Sequence, residues 1–509
     1  MGSNWRVQVK HNIDLSTNIG RVFFTVFVVS FLWVFYNAIF KSVKDFQPLL
    51  SLFLMLVFAI MFFCVYYFLR QFSLTEKNGN FILLVFIVVM GAIQIIAGLR
   101  LRFTPTFDLD AIYNGGRDWA LNGNFDNYQN YFGRFSNNFG GLFFFRCLFL
   151  FGNFFGISDF FALALIYNTL MLQIMVLAIF DIVRRLAGVP AAVLSLVMFG
   201  ASLPFYMMGA VFYTDLLSAP FAIFSLNFYL RAKNEERIRQ KTIYFIMFGV
   251  FSAIGAALKF TVIIVAIAAL IDLILNISFE ELRLKRIALN IAIPIAAVGI
   301  TATLLFCFYG YMNTQQDAET VFLQRIPVTH WIMMGLNASG YYTPTDYDFT
   351  LGLSNLDVRK EEIPKVIHDR IKERGLSGMF KLCTEKAAAD FGDGTYKLSD
   401  FLDDGPVNVT LLHDLVLYDG RHQDAYKHIA QGAYLAFFLF MLVGGVLGIM
   451  RPGRFIVPWM AMFGLMLFLI IWETNSRYTL NFMPILILCA VLGASNIFDK
   501  IFFKLNANK

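Results

Sequence analysis

Apolar runs long enough to cross a bilayer recur from one end of this chain to the other. No other feature limits its folding choices as much. A hydrocarbon layer of ~30 Å takes about 20 apolar residues per helical crossing, and in lipid every backbone amide must find its partner within its own segment. Runs of this kind fall at 20–40, 48–69, 80–99, 158–182, 188–208, 216–232, 242–258, 260–276, 287–311, 431–450, 455–472 and 478–497. Only 15% of the 509 residues are charged and 58% are hydrophobic, against about a quarter charged in a soluble domain. The expected fold class is an all-α polytopic membrane protein of about 12–13 transmembrane helices, with a small extracytoplasmic insert, α-rich or mixed.

Orientation follows from the basic loops, because short loops rich in Lys and Arg stay in the cytoplasm. Arg6, Lys10 and Arg21 place the N-terminus inside, ahead of an uncleaved first helix. Residues 140–157, "GGLFFFRCLFLFGNFFGI", test the scheme, being apolar but short and interrupted by Arg146. A full separate crossing there would turn the basic stretches at 181–186, 231–241, 283–286 and 451–454 outward. If the segment re-enters, lies flat or merges with the next span, all four face inward, and 12 crossings result. The expected organisation is a membrane core over 1–311 that includes an outer loop at 100–139, an extracytoplasmic insert at 312–430, and C-terminal spans over 431–509. The expected location is the cytoplasmic membrane, with the site facing out.

On that scheme the conspicuous polar groups share one face. "FTPTFDLDAIYNGGRDW" (103–119) follows a span and carries Asp108, Asp110 and Arg117. "YTD" (213–215) heads another, Lys259 sits between two spans with almost no loop, and "ETNSRY" (473–478) brings Glu473, Arg477 and Tyr478. Ionisable residues at a membrane boundary mark a site by default, although Asp215 also suits a helix cap and Lys259 a snorkelling interface lysine. Glu473 and Arg477 also have the four-residue spacing of an internal helix pair. The Asn-, Tyr- and Phe-rich stretch 123–141 suits carbohydrate, since aromatic faces stack on sugars while amides bind hydroxyls; an interfacial aromatic belt is the plainer account. Two isolated cations on an outer face are natural phosphate partners. No G-x-x-x-x-G-K-[ST] pattern occurs, and the five cysteines and dispersed histidines suggest neither a disulfide framework nor a zinc site. A nucleotide-driven pump is therefore not indicated.

These features together resemble the GT-C superfamily of membrane glycosyltransferases, which includes protein O-mannosyltransferases, aminoarabinose transferases acting on lipid A and wall-polymer transferases. The carriers are "FDLD" (107–110), "YFGRFSNNFGGL" (131–142), "YTD", "LKFT" (258–261), "HWIMMGLN" (330–337) and "E…RY". Ser136 stands where similar bacterial sequences have proline, which bears on the rigidity of that loop. The resemblance implies a first-loop acid as general base, with Asp108 ahead of Asp110 because the spacing to Gly123 favours it. It implies a polyprenyl-phosphate-linked sugar as donor, since nucleotide sugars are cytosolic, and an extracytoplasmic glycan, teichoic acid or lipid as acceptor. Lys259 and Arg477, with Arg117 and Arg134, are the expected phosphate partners. Asp215, Tyr213, Tyr131, Asn137, Asn138, Glu473, Tyr478 and His330 are the expected substrate contacts. No cofactor is required, and a divalent metal between Asp108 and Asp110 is compatible with the reaction. The competing class is a flippase or transporter of lipid-linked glycans, which usually places ionisable groups near the bilayer midplane on repeated halves. A third is an assembly factor docking through the insert.

Overall fold

The computed structural model describes residues 3–42, 46–72, 74–276, 291–403, 405–451 and 456–507. The basic stretch 283–286 and residues 452–454 lie outside the described residues, as do the side chains of Arg6 and Lys10. The elements are α1 (Ser3–Phe40), α2 (Pro48–Gln71), α3 (Glu76–Arg100), α4 (Phe107–Asn122), α5 (Gln129–Arg134), α6 (Phe139–Phe154), α7 (Phe160–Ala187) and α8 (Val189–Ala201). There follow α9 (Thr214–Asn234), α10 (Ile238–Leu258), α11 (Ile263–Leu275) and α12 (Ile293–Thr314). The insert contributes α13 (Ala318–Gln324), α14 (Thr329–Gly335), α15 (Pro344–Gly352), α16 (Leu356–Phe391), α17 (Leu398–Leu402) and α18 (His413–Val416). The chain closes with α19 (Gln423–Met450), α20 (Ile456–Ile471) and α21 (Met483–Ala507).

The protein is an all-α polytopic membrane protein. Among the described residues, eight helices are long and apolar enough to cross a membrane, and three shorter apolar ones, Val189–Ala201, Phe260–Leu275 and Ile456–Ile471, accompany them. Helix α9 is 21 residues long but carries Asp215 near its start and Arg231 and Lys233 in its last turn, so it is less apolar than its neighbours. The helix ends follow local chemistry. Thr75 caps α3 by accepting from Asn78 N–H, Asp159 caps α7 by accepting from Ala162 N–H, and Gly188 at φ +85° lets the chain turn into α8.

Most of the stretch 140–157 falls in helix α6. It is a separate element, not a continuation of α7, and its 16 residues reach only ~24 Å. Its two ends lie at the same end of the bundle. It leaves Asn138 beside Tyr131 of α5, and it turns at Gly156 (φ +69°) into α7, whose capping Asp159 is held bidentately by Arg102 at 2.7 and 2.8 Å, just past α3.

That same end collects the insert. An isolated antiparallel bridge joins Phe103 to Pro406, and Val407 N–H donates to Arg102 O at 2.9 Å, pinning the insert to the link between α3 and α4. Inside the insert, buried Arg359 donates to the carbonyls of Thr350, Arg325 and Leu353. Arg370 grips Asp346 through both carboxylate oxygens. Each guanidinium satisfies several acceptors at once, which a short helix cluster with little apolar core needs. At the opposite end of the bundle, Arg184, Arg185 and Arg231 surround Asp181, and Lys233 pairs with Asp272 at 2.6 Å.

Candidate functional site

The link between α3 and α4 stays extended until Phe107, whose φ of +48° is rare for a bulky residue, and α4 then starts with Asp108 in its first turn. Two phenols from different elements hold the Asp108 carboxylate. Tyr131 O–H of α5 donates to Oδ1 at 2.6 Å, and Tyr213 O–H, at the cap of α9, donates to Oδ2 at 3.1 Å. Asn138 Nδ2 in turn donates to the Tyr131 oxygen at 2.6 Å, and Asn137 Nδ2 reaches the Asn138 side-chain carbonyl at 3.3 Å. Burial, with the adjacent Asp108 charge, pushes both phenols well above their ordinary range, so both remain donors to Asp108.

One close approach brings the cations to this carboxylate. Gly140 of α6 crosses α10 so tightly that a Cβ there would stand 1.9 Å from the Ala257 carbonyl oxygen. The glycine in "NNFGG" thus seats α6 on the last turn of α10, immediately before Lys259. Lys259 Nζ lies 2.8 Å from Asp215 Oδ1, and Arg477 Nε lies 3.5 Å from Oδ2. Asp215 is fully buried, whereas Lys259 and Arg477 retain about a fifth of their side-chain surface. Lys259 also stands 4.7 Å over the Tyr478 ring, and the Arg477 guanidinium 4.9 Å over the Tyr213 ring. Tyr213 therefore touches both halves of the site, Asp108 through its hydroxyl and Arg477 through its ring.

The stretch 473–478 is not α-helical; a 3-10 turn begins only at Ser476. The internal Glu473–Arg477 helix pair suggested by spacing is thus not made, and Arg477 turns to Asp215 instead. Residues at the end of α16 hold this loop open. Asp390 Oδ1 accepts from Asn475 N–H at 2.8 Å, Asp393 Oδ2 accepts from Ser476 O–H at 3.0 Å, and Lys386 Nζ donates to Trp472 O at 2.5 Å. Glu473 is left buried near Arg477, Lys259 and Asp108. Burial raises its carboxyl to about 7, with Arg477 and Lys259 pulling the other way and Asp108 adding to the rise.

A cavity of about 430 Å³ opens on Asp108, lined also by Tyr213, Arg477, Asp400, Phe401 and Tyr418. Between α6, α10 and α12 runs an apolar groove of about 470 Å³ lined by Phe143, Phe144, Phe221, Leu305, Phe308 and Leu258, the last next in sequence to Lys259. Asp400, Phe401 and Tyr418 come from the insert, and nothing in "LSDFLDDG" or "VLYDG" singles them out beforehand.

Four expected site residues stand elsewhere. Asp110, two positions along α4 from Asp108, faces another side of the helix and accepts from Asn114 Nδ2 at 2.5 Å. Arg117 is near Asp118 (3.9 Å), and Arg134 donates to Gln324 Oε1 and Tyr347 O–H in the insert. His330 is buried, its Nδ1 2.7 Å from Thr350 Oγ1, and burial lowers its pKa to about 4, so it serves the insert as a neutral core group. Among the described residues, no group of three or more His, Cys, Asp or Glu side chains is placed to hold a metal ion.

A helical membrane bundle with a polar cavity at one end defines an integral membrane protein. The chain matches the family described as "conserved hypothetical integral membrane protein" over residues 13–498, and it belongs to that family. No match is found among curated proteins. Among solved structures, the archaeal oligosaccharyltransferase AglB from Archaeoglobus fulgidus, in complex with an inhibitory peptide and a dolichol-phosphate, is similar at 13% identity and TM-score 0.40, over 84% of this chain and 51% of that one. A crystal structure of the Archaeoglobus fulgidus oligosaccharyltransferase tethered to an acceptor peptide gives 13% identity and TM-score 0.41, over 83% and 50%. The chain spans about half the length of these relatives.

Proposed function

We propose that this protein is an inverting glycosyltransferase that moves a sugar from a polyprenyl-phosphate carrier to a hydroxyl-bearing acceptor at the outer membrane face. One observation carries the reading: a carboxylate held by two phenols at the rim of a polar cavity is adjacent to two partly open cations, one of them next in sequence to the lining of an apolar groove. Each part suits one component of the reaction.

The apolar groove fits an isoprenoid tail, and Leu258 in its lining brings a phosphate towards Lys259 and Arg477. The polar cavity suits the acceptor. Three of its lining residues, Asp108, Asp400 and Asp403, are acids against the single cation Arg477, a surface that favours hydroxyl or cationic groups over a phosphate. Asp108 takes the proton from the acceptor hydroxyl as that oxygen bonds to the anomeric carbon, and the carbon–phosphate oxygen bond breaks on the opposite face. The configuration at that carbon inverts. Lys259 and Arg477 meet the charge that grows on the departing phosphate, and Asp215 holds both in place while the site is empty. Tyr131 and Tyr213 fix the carboxylate's orientation, and Glu473, when protonated, leaves the cations free for phosphate.

The rival transporter reading gains no support from position, since these groups gather at one end of the bundle rather than midway along it. Detergent-purified protein supplied with polyprenyl-phosphate sugars should release polyprenyl phosphate without any second compartment. Carrier that stays fully glycosylated with every donor and acceptor tried would sink the enzymatic reading.

A further inference from the structure

The opposite end of the bundle holds a second cavity, of about 550 Å³, between α3, α7, α9 and α10. Along α9, Arg231 lies 16 residues from Asp215, which sets this cavity's basic end ~24 Å from the Asp215 carboxylate, most of a bilayer core. The proposed transfer reaction makes no use of it.

Its lining has two parts. Towards the middle of the bundle it is apolar, with Ile174, Leu177, Phe224 and Phe228. Ile174 and Leu177 are 46% and 47% exposed, so this wall opens sideways to lipid. At the helix ends it is basic. Asp181 accepts from Arg184 at 3.2 Å, Arg185 at 3.1 Å and Arg231 at 2.5 Å. Exposed Glu76 pairs with Arg184 at 3.2 Å, and Arg185 and Arg231 also donate to Asn227 Oδ1. Three guanidiniums thus face two carboxylates, one of which extends into solvent. Each guanidinium has five N–H donors, so most of the donors in this cluster remain unassigned.

We infer that this cavity is a binding site for an anionic phospholipid, with the phosphate on Arg184 and Arg231 and an acyl chain along Ile174, Leu177, Phe224 and Phe228. The net positive charge selects an anionic headgroup, and the lipid-facing wall selects a molecule that carries its own chain. Free phosphate would leave that wall unfilled. A phospholipid bound here ties the C-terminal ends of α7 and α9 to one leaflet.

The test uses full-length protein in nanodiscs that hold equal amounts of phosphatidylglycerol and phosphatidylcholine, with retained lipid measured by native mass spectrometry. Wild type should keep phosphatidylglycerol selectively. Leu177→Trp, which fills the groove from its exposed wall, should abolish the selective retention while leaving the charges intact. Arg184→Gln should weaken it on the order of fivefold, the effect of about one arginine near an anionic headgroup. Equal retention of the two lipids, unchanged retention in Leu177→Trp, or displacement by millimolar inorganic phosphate would each overturn the assignment. Polyprenyl-phosphate turnover should be unaltered in Leu177→Trp, which separates this site from the one at the other face.

Discussion

The buried group formed by Asp215, Lys259 and Arg477 allows structural and chemical roles to be separated. Replacing Lys259 with methionine keeps the bulk of the stem and removes the charge. Asp215, fully buried, then loses a partner at 2.8 Å and retains only Arg477 at 3.5 Å. Removing one member of a buried pair typically costs about 3–5 kcal/mol, because the other charge is left uncompensated. With Arg477 still in place, the lower end, about 3 kcal/mol, is expected. A second change, Asp215→Asn, removes the orphaned carboxylate, so the double variant should regain roughly 2 kcal/mol of that loss, a coupling typical of residues in direct contact. Thermal unfolding of detergent-purified protein measures the stability side of the cycle, and single-turnover release of polyprenyl phosphate measures the chemistry. If Lys259 meets the leaving phosphate, the double variant is restored in stability yet remains about two orders of magnitude slow. Recovery of turnover along with stability would leave the lysine a structural counter-ion only.

Tyr213→Phe removes one donor to Asp108 while keeping the ring beneath Arg477, and should lower turnover about tenfold with little change in unfolding temperature; an unaltered rate would show that the orientation of Asp108 does not depend on it. Glu473 has its folded-state pKa raised to about 7 from an ordinary 4.5, so it binds a proton that the unfolded chain has released between those values. Its stabilising contribution is therefore present below that window and is lost as pH rises through 7. Ionised Glu473 competes with phosphate for Arg477 and Lys259, so the donor KM should rise up to about tenfold per pH unit above 7, and Glu473→Gln should flatten that limb. A limb that persists in Glu473→Gln assigns it to another group. Asp346→Asn loosens the bidentate Arg370 contact and should destabilise the insert by about 2 kcal/mol, read as earlier proteolysis within 312–430; unchanged protease sensitivity would contradict that role.

The elements of the site were legible where charge interrupts grease. Asp108, Asp215, Lys259 and Arg477 stand out because each borders an apolar run, and the structure brings all four together. Their pairing was not legible. Spacing alone joins Glu473 to Arg477, but the end of α16, 83–85 residues upstream in its hydrogen bonds, draws that loop out of helical form. Arg117 and Arg134 stand away from the cavity for a related reason: a sequence shows that a cation is near a site but not which face of a short helix bears it. Asp110 differs from Asp108 by two helical positions, enough to turn it to Asn114. The insert residues Asp400 and Tyr418 carry no local pattern, and contacts distant in sequence, among them the bridge from Phe103 to Pro406 and the Val407–Arg102 hydrogen bond, set their side of the molecule over the cavity.

The role of Asp108 as the base is tested with one sugar-charged polyprenyl phosphate, a hydroxyl-bearing acceptor, and the detergent-purified wild-type and Asp108→Asn proteins. The wild type should release polyprenyl phosphate with inversion at the anomeric carbon, and the variant should bind donor without release. Equal release by both, or no release by either while wild-type protein in liposomes carries the intact lipid-linked sugar across the bilayer, would contradict that role.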